Sequence, residues 1–385
     1  MPTQPHRPIR RRDLLACLGG GAMLAACSAP DESQDGTSPS ATSSSSTPPA
    51  SSTSSTRDAA ARGLTVVGGP AALARAVEPR YAAEPAVKGR AHLGSWKGDR
   101  VAVVTVGKDV TLAVESGTSW KVVGGWWPSL GQDAPRVGSA RHVLVLGSDA
   151  RPGQKVSRSR GDAIQLLGVD GDGGGGVLGF ARDLWVPIAG GGRSKINAAL
   201  SLHGPDAMRR TVSDLTDIPI SGYVLTGFAG FTRMVDDLGQ IPFTSPEAWT
   251  GIGVNLTVRK GYQRFNGREA LAYARERKVH PGGDFVRSRN QGRLLAAAAK
   301  EARAQGAAVL PKALSVLSRF CESDLDAAQM LTFAAAVLRA RSDRFGAAVA
   351  KGPTGMSSDG QSIVRLDDAS RAAFRSFRSG ALPRG

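Results

Sequence analysis

His142-Val143-Leu144-Val145-Leu146-Gly147-Ser148-Asp149-Ala150-Arg151 is the stretch on which the reading of this chain turns. The run through Leu146 has the length and apolarity of a buried strand, and it stops at Gly147-Ser148-Asp149. Downstream, Ala163-Ile164-Gln165-Leu166-Leu167-Gly168-Val169 fits a second strand and Val177-Leu178-Gly179-Phe180-Ala181 a third. The glycines 173–176 between them read as the flexible tip of a hairpin. They do not read as a phosphate cradle, because no helix follows to supply amides and a dipole. Beyond Lys195 the period changes. Apolar residues at helical spacing predict helices over 197–215, 227–238, 266–273, 285–304, 307–320 and 325–339, with Asp284 as an N-cap. A last strand fits 362–366. Strands mixed with several helices give an α/β or α+β sandwich.

Upstream, residues 61–135 read as a small β-rich region. Val101–Val106 and Val110–Val114 flank the turn Gly107-Lys108-Asp109, and Trp120-Lys121-Val122-Val123 precedes Gly124-Gly125. The pair Trp126-Trp127 suits packing at a junction better than a sugar-stacking platform. Residues 28–60 are nearly all Ser, Thr, Pro, Ala and small acidic residues, a composition that cannot offset the entropy of ordering. They are expected to form a disordered tether. Residues 1–27 carry Arg10-Arg11-Arg12-Asp13-Leu14-Leu15 and end Leu24-Ala25-Ala26-Cys27. This resembles a twin-arginine secretion signal joined to a lipoprotein box, with Cys27 the acylated residue. The expected location is therefore extracytoplasmic, lipid-anchored to the outer face of the cell membrane.

Across 385 residues, 49 Lys and Arg stand against 33 Asp and Glu, a formal charge of +16. That balance favours anionic partners: nucleic acid, anionic lipid or a phosphate-bearing polymer. An export signal and the lack of any nucleic-acid reader motif exclude the first. Of three cysteines only Cys321 lies outside the targeting segment, so no internal disulfide framework or thiolate zinc site is available. No G-x-S-x-G elbow supports a serine hydrolase.

Charge gathers instead at the ends of apolar elements: at Asp149, at Arg158 to Asp162, at Arg182-Asp183 with Lys195 soon after, and at Arg275-Glu276-Arg277 followed by Asp284, Arg287 and Gln291. If 275–277 is extended, both arginines face one side and Glu276 points outward. Arg287 and Gln291, four apart on a helix, share a face. Guanidinium forks suit phosphate oxygens, and the carboxylates of Asp149 and Asp162 suit Mg²⁺ completed by phosphate and water. Phosphoryl transfer chiefly needs such positioning and charge neutralisation.

Over about residues 141–371 these pieces resemble the LytR-CpsA-Psr phosphotransferases. The matching segments are LGSDAR (146–151), RGD (160–162), ARDLWVP (181–187), KINAAL (195–200), GYVLTGFAGFTRMVDDLG (222–239) and LAYARERKVHPGGDFVRSRNQ (271–291). The resemblance implies an α–β–α sandwich over 140–375 with an apolar groove for a polyprenyl chain. It implies Mg²⁺-dependent transfer of a glycopolymer phosphate from a polyprenyl diphosphate carrier to a peptidoglycan sugar hydroxyl. Asp149 and Asp162 would bind Mg²⁺. Arg160, Arg182, Arg275, Arg277, Arg287 and Gln291 would grip the diphosphate, with Lys195 beside them. Arg182, Asp183 and Asp284 would stand at the reacting centre, Asp284 either orienting arginines or assisting proton transfer. The chain departs from the family pattern at Asn290, where Arg is usual, and at Gln240 and Val286, where Gly is usual. The competing reading is a non-catalytic extracytoplasmic binder of polyprenyl diphosphate or anionic wall polymer.

Overall fold

The computed structural model describes residues 63–138 and 141–383. The expected signal segment at 1–27, with Cys27, and the whole of the expected tether at 28–60 lie outside the described residues. The described residues open with a six-stranded sheet in sequential order. Its strands are β1 (Leu64–Val67), β2 (Val87–Trp96), β3 (Asp99–Val106), β4 (Asp109–Ser116), β5 (Ser119–Trp127) and β6 (Gln132–Arg136). Alternation along β3 and β4 gives this sheet two apolar faces. One buries Leu73, Val77 and Tyr81 from α1 (Ala71–Val77) and the turn after it, together with Trp127. The other packs Trp96, Val101, Val103, Leu112 and Trp126 on the main body. Trp126 and Trp127 are both buried, one in each layer, so neither offers a free stacking face.

The main sheet has the order β17-β12-β7-β8-β9-β18. Its centre is the antiparallel meander β7 (His142–Ser148), β8 (Gly161–Val169) and β9 (Gly175–Phe180). Parallel to β7 runs β12 (Gly222–Gly227), and parallel to β9 runs β18 (Phe345–Ala350); the short β17 (Glu322–Ser323) closes one edge. Four ribbons complete the described strands: β10 (Trp185–Pro187) with β11 (Arg193–Lys195), β13 (Ile241–Ser245) with β16 (Gly261–Phe265), β14 (Trp249–Thr250) with β15 (Thr257–Val258), and β19 (Thr354–Met356) with β20 (Ser362–Val364). On one face of the sheet, Leu144, Leu166 and Leu178 meet α2 (Ala198–Thr216) and α8 (Asp368–Phe377). The opposite face carries α5 (Asp284–Gln305), α6 (Leu310–Phe320) and α7 (Ala327–Arg339), with α3 (Phe228–Leu238) and α4 (Gly267–Arg275) alongside. Helices therefore cover both faces, an α/β sandwich.

Helix starts follow ordinary capping chemistry at α4 and α7. Asn266 with Glu269, and Asp326 with Gln329, each form a reciprocal capping box. Three expectations need correction. Asp284 is not an N-cap: Gly283 holds that position at φ 53°, and Asp284 is the first helical residue with its carboxylate turned to arginines. The helix expected over 197–215 is broken, because Gly204 sits at φ 85° before Pro205, which cannot donate to the preceding turn. The glycine run is only half a hairpin tip. Gly175 and Gly176 lie within β9, where a Cβ on Gly176 would stand 3.0 Å from that of Leu382, so the bare backbone makes room for the C-terminal segment. Among the described residues no helix is long and apolar enough to cross a membrane.

Candidate functional site

Because β7 and β8 are antiparallel, and β8 and β9 likewise, the end of β7, the start of β8 and the end of β9 emerge at one edge of the sheet. Asp149, Asp162 and Arg182 are the residues placed there. Asp162 accepts from Arg182 Nη1 through both oxygens, each at 3.0 Å, and lies 3.5 Å from Arg287 Nη1. Asp284 reaches the same group from α5. Its Oδ2 accepts from the Arg182 backbone N–H at 3.0 Å, and its Oδ1 stands 2.5 Å from Arg287 Nη2. Asp183 takes Lys195 Nζ at 3.0 Å and Arg182 Nε at 3.8 Å. Asp149 is held separately by Arg160, through its backbone N–H at 3.0 Å and Nε at 3.1 Å.

Electrostatics follow from burial. Arg287 is only 7% exposed. Burial pushes its pKa down, Asp284 and Asp162 offset part of that, and Arg182 and Arg277 add to the depression. For Arg182 burial acts the same way, but Asp162, Asp284 and Asp183 outweigh it and raise the pKa. Both remain cations at any ordinary pH. They are guanidinium groups fixed in place by carboxylates, with Arg182 Nε and Arg287 Nη2 each left without an aligned hydrogen-bond acceptor.

Gln291 ties α5 to the cluster, donating from Nε2 to the Asp162 carbonyl at 3.3 Å and to the Ala274 carbonyl at 3.2 Å. Its Oε1 accepts from Gln165, a buried polar residue in the middle of β8. Gln165 was not foreseen, although a polar residue inside an apolar strand is the signal that marks it. Glu276 overturns the outward orientation expected for it. It is 1% exposed. Its Oε1 accepts from the backbone N–H of Arg277 (2.8 Å), Lys278 (2.6 Å) and Val279 (3.0 Å), and its Oε2 from that of Ile252 (3.0 Å). Burial alone would raise its pKa, but these four donors prevail and lower it. Glu276 thus staples the 276–279 loop to the β14–β15 hairpin, between two arginines that face the site.

A cavity of about 550 Å³ opens at this edge. Asp149, Asp162 and Arg182 line it, as do Arg275, Arg277, Arg287 and Gln291. Arg151 and Lys278 join them, so six cations face two carboxylates at the charged end. Arg160, Asp183, Lys195 and Asp284 lie outside the lining. Arg160 braces Asp149; the other three stand behind or beside Arg182. Past Arg275, whose guanidinium lies 5.0 Å over the Phe228 ring, the wall becomes mainly apolar, with Gln240, Glu301 and Gln305 as its polar members. Phe231, Met234, Leu238, Leu271, Leu294 and Leu295 form it, and Val309 and Ala313 extend it. Arg287 and Gln305 both line the cavity, and the helix between them rises about 27 Å. One end suits a diphosphate; the remainder suits a long hydrocarbon. Among the described residues no three acidic, histidine or cysteine side chains gather as a self-sufficient metal site.

Residues 128–374 match the LytR_cpsA_psr family model. The regulatory protein MsrR of Staphylococcus aureus (strain COL) is 33% identical over 188 residues, 48% of this chain and 56% of that protein. The polyisoprenyl-teichoic acid–peptidoglycan teichoic acid transferase TagV of Bacillus subtilis (strain 168) is 38% identical over 127 residues, 31% of this chain and 32% of that protein. The crystal structure of B. subtilis TagV shares the fold, with a TM-score of 0.53 at 26% identity over 63% of this chain and 98% of that one. The chain spans about half the length of the curated relatives it matches.

Proposed function

We propose, from the premise that the chain belongs to the LytR_cpsA_psr family, that it transfers a glycopolymer phosphate from a polyprenyl diphosphate carrier to a peptidoglycan sugar hydroxyl. The observation that carries this reading is the two-part cavity, with six cations at one end and a hydrocarbon-lined passage beyond. A relative named as a teichoic acid transferase, TagV, supports it. The prenyl chain would lie along α5, and its diphosphate would meet Arg182, Arg275, Arg277 and Arg287. The acceptor hydroxyl would attack the sugar-side phosphorus, forming the new P–O bond as the bond to the prenyl phosphate breaks. Preorganised guanidinium groups stabilise charge developing in such a step because they need not reorganise. Asp284 does not face the cavity and holds Arg182 and Arg287 from behind, which favours positioning over proton transfer.

Asp149 and Asp162 leave adjacent strands at the cavity mouth and offer oxygen donors only, a pair suited to Mg²⁺ whose shell the diphosphate and water complete. Bound there, the cation would neutralise diphosphate charge. Acylated Cys27 would keep the domain on the outer face of the membrane, within reach of a lipid-held donor. The test is release of polyprenyl phosphate from a sugar-bearing prenyl diphosphate by the purified protein with and without Mg²⁺. The variant Asp162→Asn should lose at least about 100-fold in turnover while staying folded. Undiminished turnover in that variant refutes the assignment, and absence of release by the native chain leaves it a binder of prenyl diphosphate.

A further inference from the structure

A second cavity, also about 550 Å³, lies along a neighbouring face of α5, and Glu301 lines both. Its wall is aromatic: Phe243, Trp249, Tyr262 and Tyr273, with His280 edge-on to Trp249 at 5.8 Å between ring centroids. Phe243 stacks on Phe265 at 4.7 Å and Tyr273 packs against both, so the floor is rigid. Tyr262, by contrast, is 66% exposed and presents an open ring face.

Polar groups around these rings are balanced in sign. Arg293 and Lys300 supply donors, Glu247 and Glu301 supply acceptors, and the buried Asn290 supplies both. Glu247 stands 3.8 Å from His280, and Glu301 accepts from Arg264 at 3.2 Å. Two carboxylates would repel a polyanion, and a hydrocarbon would leave the donors unpaired. Aromatic faces combined with both donors and acceptors fit an uncharged ring bearing hydroxyl or amide groups.

This cavity is joined to the first by two short crossings. In the loop after α4, Arg277 and Lys278 line the first cavity and His280 the second. Two residues of chain reach at most about 7 Å. In the β14–β15 hairpin, Trp249 lines the second cavity and Ile252 the first. Glu276 fastens these two crossings to each other. A linear polymer lying over that rim would touch both cavities at once.

We propose that the second cavity binds neutral amino-sugar rings of the glycan strand that accepts the transferred phosphate, holding the strand while one hydroxyl reaches the arginine mouth. This deepens the function proposed above and rests on it for the identity of the acceptor. The test is binding of chitotetraose, an uncharged β-linked N-acetylglucosamine oligomer, to the full chain by calorimetry. Tyr262→Ala and Trp249→Phe should each weaken binding roughly threefold to tenfold, the contribution of one aromatic contact. Tyr262 is a surface ring, so its variant serves even if the substitution at Trp249 disturbs folding. Equal affinity in native chain and Tyr262→Ala, no binding by the native chain, or displacement of the sugar by polyphosphate would each overturn the assignment. Release of prenyl phosphate is read separately on the same samples. Sugar binding without that release keeps the subsite and removes the transferase reading.

Discussion

Replacing Glu276 by Gln tests whether one buried carboxylate sets the shape of the arginine-bearing loop. The native side chain accepts four backbone N–H groups with two oxygens. An amide keeps one oxygen and turns an NH₂ group toward the remaining donor. If the oxygen stays with Arg277, Lys278 and Val279, the Ile252 N–H loses its acceptor and faces another donor. Hydrogen bonds to charged groups contribute about 1.5–3 kcal/mol each, and a buried donor left unpaired carries its own penalty. A loss of about 3 kcal/mol follows, and at roughly 2–4 °C per kcal/mol the melting temperature should fall by about 6–12 °C. The folded pKa is lowered, so this stabilisation is complete above the unfolded pKa and disappears as pH falls through the folded value. The gap in melting temperature between native chain and Glu276→Gln should therefore hold at pH 7 and narrow below about pH 4. Calorimetric scans at several pH values measure both. Arg275 and Arg277 flank the substituted residue, so apparent affinity for prenyl diphosphate should drop about tenfold as the loop loosens. A variant that melts within 1 °C of the native chain at pH 7 would refute the staple.

Two further outcomes follow from the cavity wall. Gln240 lines it at φ 70°, a left-handed conformation that disfavours a side chain by about 1–2 kcal/mol. Allowing for the added freedom of glycine when unfolded, Gln240→Gly should stabilise the chain by about 0.5–1 kcal/mol, visible as a rise in calorimetric melting temperature; an unchanged or lower value refutes the strain. Leu295 lines the passage about 12 Å along α5 from Arg287. Leu295→Trp should weaken binding of a long polyprenyl diphosphate about tenfold while leaving geranyl diphosphate unaffected, and an equal loss for both would place the hydrocarbon elsewhere.

Much of the architecture was legible because it rests on periodicity. The apolar run 142–146 is the heart of β7, and every segment with helical spacing beyond Lys195 contains a helix. The charged clusters were legible too, since Asp149, Asp162 and Arg182 stand at strand ends and antiparallel pairing brings those ends together. What escaped depends on partners that sequence spacing does not encode. Glu276 turns inward because backbone amides 24 residues away and next door need an acceptor, and a glutamate between two arginines gives no sign of that. Asp284 has a cap's position by pattern, but Arg287 and the Arg182 amide compete for its oxygens and win. Gly175 and Gly176 look like a loop until the C-terminal segment is laid over them. Gln240 is a different case: glutamine itself has no preference for its left-handed φ, and the one sign of it in the sequence is the resemblance, since Gly is usual at that position.

The N-terminal sheet bears on how this protein can be cut. The family match starts at residue 128, at the end of β5, which invites a fragment beginning there. Yet Trp96 donates its indole N–H to the Leu325 carbonyl, and Gly94 lies so near Pro311 that a Cβ would collide with its carbonyl. Trimming at 128 would leave Leu310, Leu314, Leu331 and Phe333 facing water, a surface prone to clumping. It would also strip the backing from α6, whose Ala313 walls the far part of the passage. On the proposed function, the hydrocarbon length that the passage admits would depend partly on residues that precede the recognisable family segment, and swapping that sheet between homologues would test it.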